Sequence, residues 1–176
     1  MRVVLERSNL LKSLGHVHRV VERRNTIPIL SNVLLSADGA SLEMKATDLD
    51  LEMTEAAPAS VEQGGATTVP AHLLYDIVRK LPDGAEVMLK VDENGQTMSV
   101  ISGRSTFRLQ CLPKADFPAL TAGQFSHIFR MESAVLRSLV EKTQFAISTE
   151  ETRYYLNGIF LHTLESDGAL KLRAVA

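Results

Sequence analysis

The sequence predicts an α+β fold in which helices gather on one side of antiparallel sheets. Two observations lead to this class. Segments with alternating apolar and polar residues come in groups, and each group carries one segment with the apolar spacing of a helix. The same order then recurs along the chain, which indicates one helix-and-strand unit copied three times.

The first predicted unit covers residues 1–63. It opens with a strand over residues 1–7, followed by a helix that Ser8 or Asn9 can cap. The helix has one apolar stripe, which consists of Leu10, Leu14, Val17 and Val21. We expect it to end in the segment before Pro28, because a residue that precedes proline avoids helical angles. Three strands follow, at 31–37, 41–47 and 49–56.

The second predicted unit covers residues 64–111 and repeats that order. A short strand at 67–69 leads into a helix, and Pro70 suits the first turn of that helix. The apolar side of this helix consists of Leu73, Leu74, Ile77, Val78 and Leu81. The strands that follow it are expected at 85–91, 97–102 and 104–110. A linker with the composition of a loop covers residues 112–126.

The third unit, residues 127–176, is the clearest copy of the first, at an offset of about 125 residues. It opens with a predicted strand at 127–131 and a helix at 133–147. Residues 7–14 match 132–139, and both copies later reach an Asp-Gly turn before an alternating strand. Chance similarity among amphipathic segments is the alternative explanation. From the repeat, we predict a first domain over 1–120 and the first half of a second domain over 127–176.

Composition narrows the possible functions of this chain. Its 176 residues carry 19 basic and 21 acidic side chains, for a net charge of −2, and 45% of the residues are apolar. A packed core is therefore expected, while a protein that grips nucleic acid over its whole surface is not. No apolar run approaches the roughly 18 residues of a membrane span, and the charged N-terminus does not resemble a signal peptide. We expect a cytoplasmic protein that has no membrane partner.

Catalytic and metal-binding patterns are not found. His16 and His18 are two residues apart and point to different sides of a helix, which argues against a shared metal ion. Asp48, Asp50 and Glu52 alternate on a predicted strand, so a cation or bulk water can face them, and we expect water. The single cysteine, Cys111, is expected to be a small buried residue. We predict a protein that is not an enzyme and needs no cofactor or metal.

The helices carry the feature most relevant to binding. Each presents cations outward: Lys12, His16, Arg19, Arg23 and then Arg24 on the first; His72, Arg79 and Lys80 beside Asp76 on the second; Arg137 and Lys142 beside Glu141 on the third. Sequence-independent contact with nucleic-acid phosphates needs only such cations. An ordinary solvated helix surface is the alternative.

Several segments of this chain together resemble bacterial sliding clamps, the beta subunits of the replicative DNA polymerase III. They include residues 24–32, 47–50, 65–71, 102–105, 112–118, 143–145 and 153–158, and the similarity runs from Met1 to Ala176. The resemblance implies a processivity factor without catalytic activity. In the family, two protomers of three similar domains close head to tail as a homodimeric ring around duplex DNA, with helices lining the hole and sheets outside.

The resemblance also implies partners. Clamps bind linear peptide motifs of the replicative polymerase alpha subunit, the clamp loader, translesion polymerases and mismatch-repair proteins. Carried over by position, Arg24 is a DNA contact, His72 replaces a basic residue, and Glu150 replaces a DNA-contacting glutamine. The protomer interface includes Leu73, Ile77, Arg104, Phe107 and Leu109, and the peptide pocket includes Arg153, Tyr155 and Leu156.

One departure from the family concerns the end of the sequence. The chain stops at residues 172–176, where clamps continue into a segment that contributes to the peptide pocket, and it carries no third domain. We therefore expect a fragment of a clamp, which neither closes a ring nor binds peptides normally by itself. The alternative function is a truncated interaction module that binds clamp protomers without encircling DNA.

Overall fold

A computed structural model describes residues 1–23, 26–118, 128–166 and 168–176. The chain forms two compact units, Met1–Thr121 and Ala122–Ala176, which are described separately. Both combine helices with antiparallel strands. The predicted α+β class is confirmed.

The first unit contains two helices and nine strands. The helices are α1 (Arg7–Val17) and α2 (Ala71–Lys80). The strands are β1 (Arg2–Glu6), β2 (Asn32–Asp38), β3 (Ser41–Thr47), β4 (Glu52–Pro58), β5 (Ser60–Gln63), β6 (Gly65–Pro70), β7 (Glu86–Val91), β8 (Thr97–Ser102) and β9 (Ser105–Gln110). Short 3₁₀ turns lie at Pro28–Ser31 and Lys114–Asp116.

These nine strands form two sheets. One has the order β5-β1-β7-β8-β9, and the other has the order β4-β3-β2-β6. Strand β1 pairs with β5 on one side and with β7 on the other, so the first strand of the chain holds the two predicted repeat units together. The hairpin between β2 and β3 turns at Gly39, whose φ of 55° lies in the left-handed region that glycine adopts without strain.

One apolar core fills the first unit between its helices and sheets. The largest fully buried side chains include Leu10 and Leu14 of α1, Leu74 of α2, and Leu35, Met44, Leu89 and Met98 of the strands. Burial of each such side chain contributes about 1.5–3 kcal/mol. Because both helices turn their apolar stripe to this core, their polar sides remain at the surface.

The second unit is smaller and more open. It contains α3 (Ser133–Thr143), 3₁₀ turns at Gln144–Ala146 and Glu151–Leu156, and a hairpin of β10 (Phe160–Ser166) and β11 (Ala169–Val175). Large apolar side chains are exposed on it, among them Ile128 at 83% and Leu170 at 77%. A cavity of about 1090 Å³ lies beside the hairpin and is lined by Phe129, Met131, Leu161 and Leu172 among others.

The first helix differs from its prediction at both ends. No side chain caps its N-terminus: β1 continues directly into α1, the Arg7 amide donates to the Ala85 carbonyl at 2.8 Å, and the Ser8 hydroxyl donates to Glu6 instead. At the other end α1 stops at Val17, and a tighter turn with i to i+3 hydrogen bonds continues to Val21. Val21 continues the apolar spacing of the helix and is buried in the turn, so the spacing did not indicate that α1 ends at Val17.

The predicted acidic strand surface is wrong. Residues 48–51 form a turn in which one Asp48 carboxylate oxygen accepts hydrogen bonds from the amides of Asp50 and Leu51, at 3.0 and 2.7 Å. Leu49 has a φ of 82° in this turn. Strand β4 begins only at Glu52, whose carboxylate pairs with Lys45 at 3.0 Å. Alternation alone does not separate a strand from an aspartate-closed turn.

Two further predictions about strands need correction. Strand β5 was missed, because its four residues are too short for a clear alternating pattern. The predicted strand at 127–131 is wrong for residues 128–131, and residue 127 lies outside the described residues. Its counterpart β1 is held by strands on both sides, whereas residues 128–131 pair with no described strand. Helix α3 is also shorter than the predicted 133–147, because 3₁₀ geometry takes over after Thr143.

Candidate nucleic-acid interface

An aromatic cluster joins the end of α1 to the start of α2. The imidazole of His18 stacks on the ring of Tyr75, with 3.9 Å between centroids and 8° between planes. His72 meets His18 edge-on, with 5.5 Å between centroids. The His18 and His72 side chains each contact a backbone carbonyl, at Leu14 and Val21 respectively, both at 2.7 Å. These contacts fix the turn after α1 against α2.

Cations surround this cluster. Arg19 and Arg23 are exposed on the turn. The guanidinium carbon of Arg79 lies 5.7 Å from the centroid of the Tyr75 ring, a cation–π contact, and its Nη2 pairs with Asp76 at 3.1 Å. Since the cations come from both helices, residues distant in sequence form one basic patch. We call this patch, which consists of Arg19, Arg23 and Arg79 around the His18–Tyr75 stack, the helix-pair patch.

The electrostatics of His18 agree with this arrangement. Burial lowers the pKa of His18 below its ordinary value, and the charges of His72, Arg19 and Arg23 lower it further. The hydrogen bond with the Leu14 carbonyl acts in the opposite direction but is outweighed. His18 is therefore uncharged at neutral pH, and the positive charge of the helix-pair patch comes from its arginines.

Other predicted DNA contacts occupy different surroundings. Lys12 and Lys80 are exposed on α1 and α2. The Nδ1 of His16 lies 2.8 Å from a Glu55 carboxylate oxygen, so an acidic partner on β4 offsets any charge that this side chain gains. In the second unit, Arg137 of α3 pairs with Glu141 at 2.7 Å.

Arg24 and His72 are the two remaining predicted DNA contacts of the first unit. Arg24, the strongest candidate from the family resemblance, lies outside the described residues. His72 is half-buried, and its Nε2 is engaged by the Val21 carbonyl rather than directed outward. Sequence reasoning missed Tyr75, although its spacing of three from His72 on one helix was a usable signal.

The predicted protomer-interface residues are partly at the surface. Leu73 is 49% exposed although the helical pattern assigned it to the buried side, and Phe107 and Arg104 are exposed at the outer strand β9. As an edge strand, β9 has backbone groups free of sheet partners on one side. Leu109 is only 1% exposed and its side chain belongs to the core, so among the predicted interface residues it reaches the surface least. Ile77 is half-buried.

The predicted peptide-pocket residues lie together on the 3₁₀ turn Glu151–Leu156. Arg153 pairs with Glu150 through its Nε at 3.1 Å, which connects the predicted pocket to the residue that replaces a DNA-contacting glutamine. The aromatic rings of Tyr154 and Tyr155 meet edge-on and are both exposed. Leu156 is exposed as well, so this turn presents one cation and three apolar or aromatic side chains to the surface.

Chemistry-bearing clusters are sparse in the part of the chain that the structure describes. No three His, Cys, Asp or Glu side chains come together there in a way that could hold a metal ion. No helix among these residues is long and apolar enough to cross a membrane. Burial raises the pKa of the Cys111 thiol, and the hydrogen bond with the Thr67 side chain only partly counters this shift.

Comparisons with known proteins place the chain in one family. A sequence profile of the N-terminal domain of the DNA polymerase III beta subunit matches residues 1–121, and the profile of its central domain matches residues 130–176. The beta sliding clamp of Caulobacter vibrioides is 52% identical over 176 residues, which is 100% of this chain and 47% of that protein. The Escherichia coli clamp is 42% identical over 164 residues, or 93% and 44% of the two chains.

Solved structures give the same result. The sliding clamp of Bartonella birtlesii, solved bound to griselimycin, superposes with a TM-score of 0.94 at 60% identity and covers 100% of this chain and 46% of its own. A clamp from Caulobacter crescentus gives a TM-score of 0.92 at 52% identity, and 47% of that chain is matched. The present chain thus spans about half the length of the curated relatives it matches.

Proposed function

This chain belongs to the DNA polymerase III beta-subunit family, and we propose that it forms part of a sliding clamp. Such a clamp encircles duplex DNA and tethers the replicative polymerase and other DNA-processing proteins to the template. The observation that carries the proposal is the helix-pair patch, where α1 and α2 bring cations to one surface. The proposed role is that of a non-catalytic accessory subunit.

The chemistry of the helix-pair patch suits contact with a moving duplex. Arg19, Arg23 and Arg79 bind phosphate by charge and hydrogen bonding, which carries no sequence information. Lys12 and Lys80 extend the same basic surface. A closed ring retains DNA by topology, so individual contacts need only be weak and readily exchanged. A chain with a net charge of −2 can therefore serve this function with one local basic surface.

The domain organisation follows from the same family assignment. We infer that the first unit is one complete clamp domain made of the half-units 1–63 and 64–111, and that the second unit is the first half of the next domain. Head-to-tail closure of a homodimer uses the exposed edge of β9, with Phe107 on that strand, Arg104 just before it, and Leu73 and Ile77 on α2. We also infer that Arg153, Tyr155 and Leu156 form one wall of a pocket for linear peptides.

Salt-dependent DNA binding tests the proposed function. The doubly substituted chain Arg19→Gln/Arg23→Gln is compared with the unaltered chain by fluorescence anisotropy of a labelled 20-base-pair duplex. The slope of log K against log salt concentration is negative, and each phosphate contact makes it steeper by about 0.9. We therefore expect the slope of the doubly substituted chain to be less negative by about 1.8. Arg173→Gln is the control, since it removes an exposed cation on β11, to which no binding role is assigned, and it should leave the slope unchanged. Equal slopes for all three proteins would refute DNA contact by this surface.

Light scattering distinguishes the alternative function of an interaction module. The exposed apolar side chains of the second unit favour association of the isolated chain. A monomer, or loose aggregates that become a closed dimer once the rest of a clamp sequence is supplied, agrees with a part of a ring. A stable oligomer of defined mass formed by the 176 residues alone would favour the interaction module.

A further inference from the structure

The turn after α1 leaves one backbone carbonyl available to a neighbouring helix. The amides of Arg19, Val20 and Val21 donate within the turn, to the carbonyls of His16, Val17 and His18, each at 3.2 Å. The Val21 carbonyl instead accepts a hydrogen bond from Nε2 of His72, which lies in the first turn of α2, at 2.7 Å. A carbonyl only accepts hydrogen bonds, so His72 Nε2 carries the hydrogen.

A second attachment lies one turn further back. His18 Nδ1 donates to the Leu14 carbonyl at 2.7 Å, and the ring of His18 stacks on Tyr75. His72 also meets the edge of His18. The turn is thus attached to α2 by the His18–Tyr75 stack, directly before Arg19, and by the hydrogen bond at the Val21 carbonyl, two residues before Arg23.

The attached segment carries Arg19 and Arg23, whose side chains are exposed. An arginine side chain has several rotatable bonds, so a mobile backbone beneath it adds to the entropy lost when a phosphate is bound. A fixed backbone lowers that cost, in the same way that preorganisation improves any binding site. The half-buried imidazole of His72 is directed at the carbonyl of Val21, which lies between these two arginines in the sequence.

We propose that His72 is a positioning residue for DNA contact, which holds the arginine-bearing turn through the Val21 carbonyl instead of touching DNA itself. This inference rests on the proposed function of the chain. It changes the expected role of His72 from a weakened cationic contact to a hydrogen-bond donor that faces the backbone. A different side chain at this position should therefore preserve the role of His72, whatever its charge, if it places a hydrogen-bond donor at the same distance from Cα.

Amide hydrogen exchange of the 176-residue chain tests the attachment without DNA. His72→Gln keeps a nitrogen donor near the place of imidazole Nε2, whereas His72→Leu is apolar and similar in size. We expect exchange at Arg19, Val20 and Val21 to accelerate about three- to tenfold in His72→Leu, as for the loss of one neutral hydrogen bond, and to remain near the original rate in His72→Gln. His162→Leu, in the second unit, is the matched control and should leave these three amides unchanged. Unaltered exchange in His72→Leu, or equal acceleration in both His72 variants, would overturn the proposed attachment.

Duplex binding at low salt then tests the consequence. We expect His72→Gln to bind a 20-base-pair duplex like the original chain and His72→Leu to bind about three- to tenfold more weakly. Equal loss of affinity in both variants would indicate that His72 contacts DNA directly and would overturn the positioning role. If the unaltered chain and Arg19→Gln/Arg23→Gln do not differ in binding, the proposed DNA contact fails, while the exchange data still decide whether His72 holds the turn.

Discussion

Arg7 connects the start of α1 to the end of α2, and its replacement provides a quantitative test of how the helix pair is held. Its Nε donates to the Val78 carbonyl at 3.1 Å, and its Nη2 donates to the Arg79 carbonyl at 2.8 Å. Both carbonyls belong to the last turn of α2, where carbonyls lack the regular i+4 amide partner, and the Val78 carbonyl also accepts from the Leu81 amide at 3.2 Å. The guanidinium also pairs with Asp83, just beyond the helix.

The substitution Arg7→Met isolates this contribution, because methionine retains much of the aliphatic stem and removes the donors. Hydrogen bonds from a charged donor contribute about 1.5–3 kcal/mol each, which gives roughly 3–6 kcal/mol for the two carbonyls. Water can reach part of a helix end, so the net loss should be smaller, about 2–4 kcal/mol. The ion pair contributes little, since the Asp83 side chain is 93% exposed.

Urea unfolding followed by circular dichroism measures this loss of stability. The slope of the free energy of unfolding against urea concentration is compared between the variants. Asp83→Asn is the matched control, because it removes the ion pair, keeps the carbonyl bonds, and should cost less than about 1 kcal/mol. A free energy of unfolding for Arg7→Met within 0.5 kcal/mol of the original, or equal to that of Asp83→Asn, would refute the reasoning.

Three further predictions follow from the first unit. Burial lowers the pKa of His18 in the folded chain, so the unfolded chain takes up a proton at this residue at a higher pH than the folded chain does. The free energy of unfolding should therefore decrease as the pH falls below about 6.5. The difference in this free energy between pH 7.5 and pH 5.5, measured by urea unfolding, should be smaller for His18→Asn than for the original chain. Burial raises the pKa of Cys111, so Ellman's reagent at pH 8 should react more slowly with the folded chain than with the urea-unfolded chain, and equal rates would contradict this. Leu74→Ala should cost about 2–5 kcal/mol in urea unfolding, whereas Leu73→Ala, at the exposed neighbouring position, should cost much less.

The elements with strong local signals were predicted well. The strands at 41–47 and 97–102 have the predicted bounds, and α2 begins at Ala71, with Pro70 at its N-cap instead of in its first turn. In each case several independent signals agree, such as alternation, a turn with Asp-Gly, or a proline at the start of a helix. The family resemblance came from the same source, since its motifs lie in turns and helix ends that are specified by particular residues.

The errors occur where local patterns fit two structures equally well. Residues 48–52 alternate like a strand, but the Asp48 carboxylate closes a turn on its own backbone. Phe107 and Leu109 lie two residues apart on β9 and share one side of the sheet, yet only Phe107 reaches solvent. Alternation predicts the side of the sheet but not how far along it the core extends.

The sequence by itself determined the α+β class, the internal repeat, the family and the surplus of cations on the helices, because each depends on residue types at fixed spacings. Only the tertiary structure decided which of those cations work together. Arg19 and Arg23 precede Arg79 by more than fifty residues, and they share a surface because His18, His72 and Tyr75 join two helices. Only the tertiary structure shows that the half-buried His72 side chain faces the Val21 carbonyl, since the folded chain alone places that carbonyl beside it.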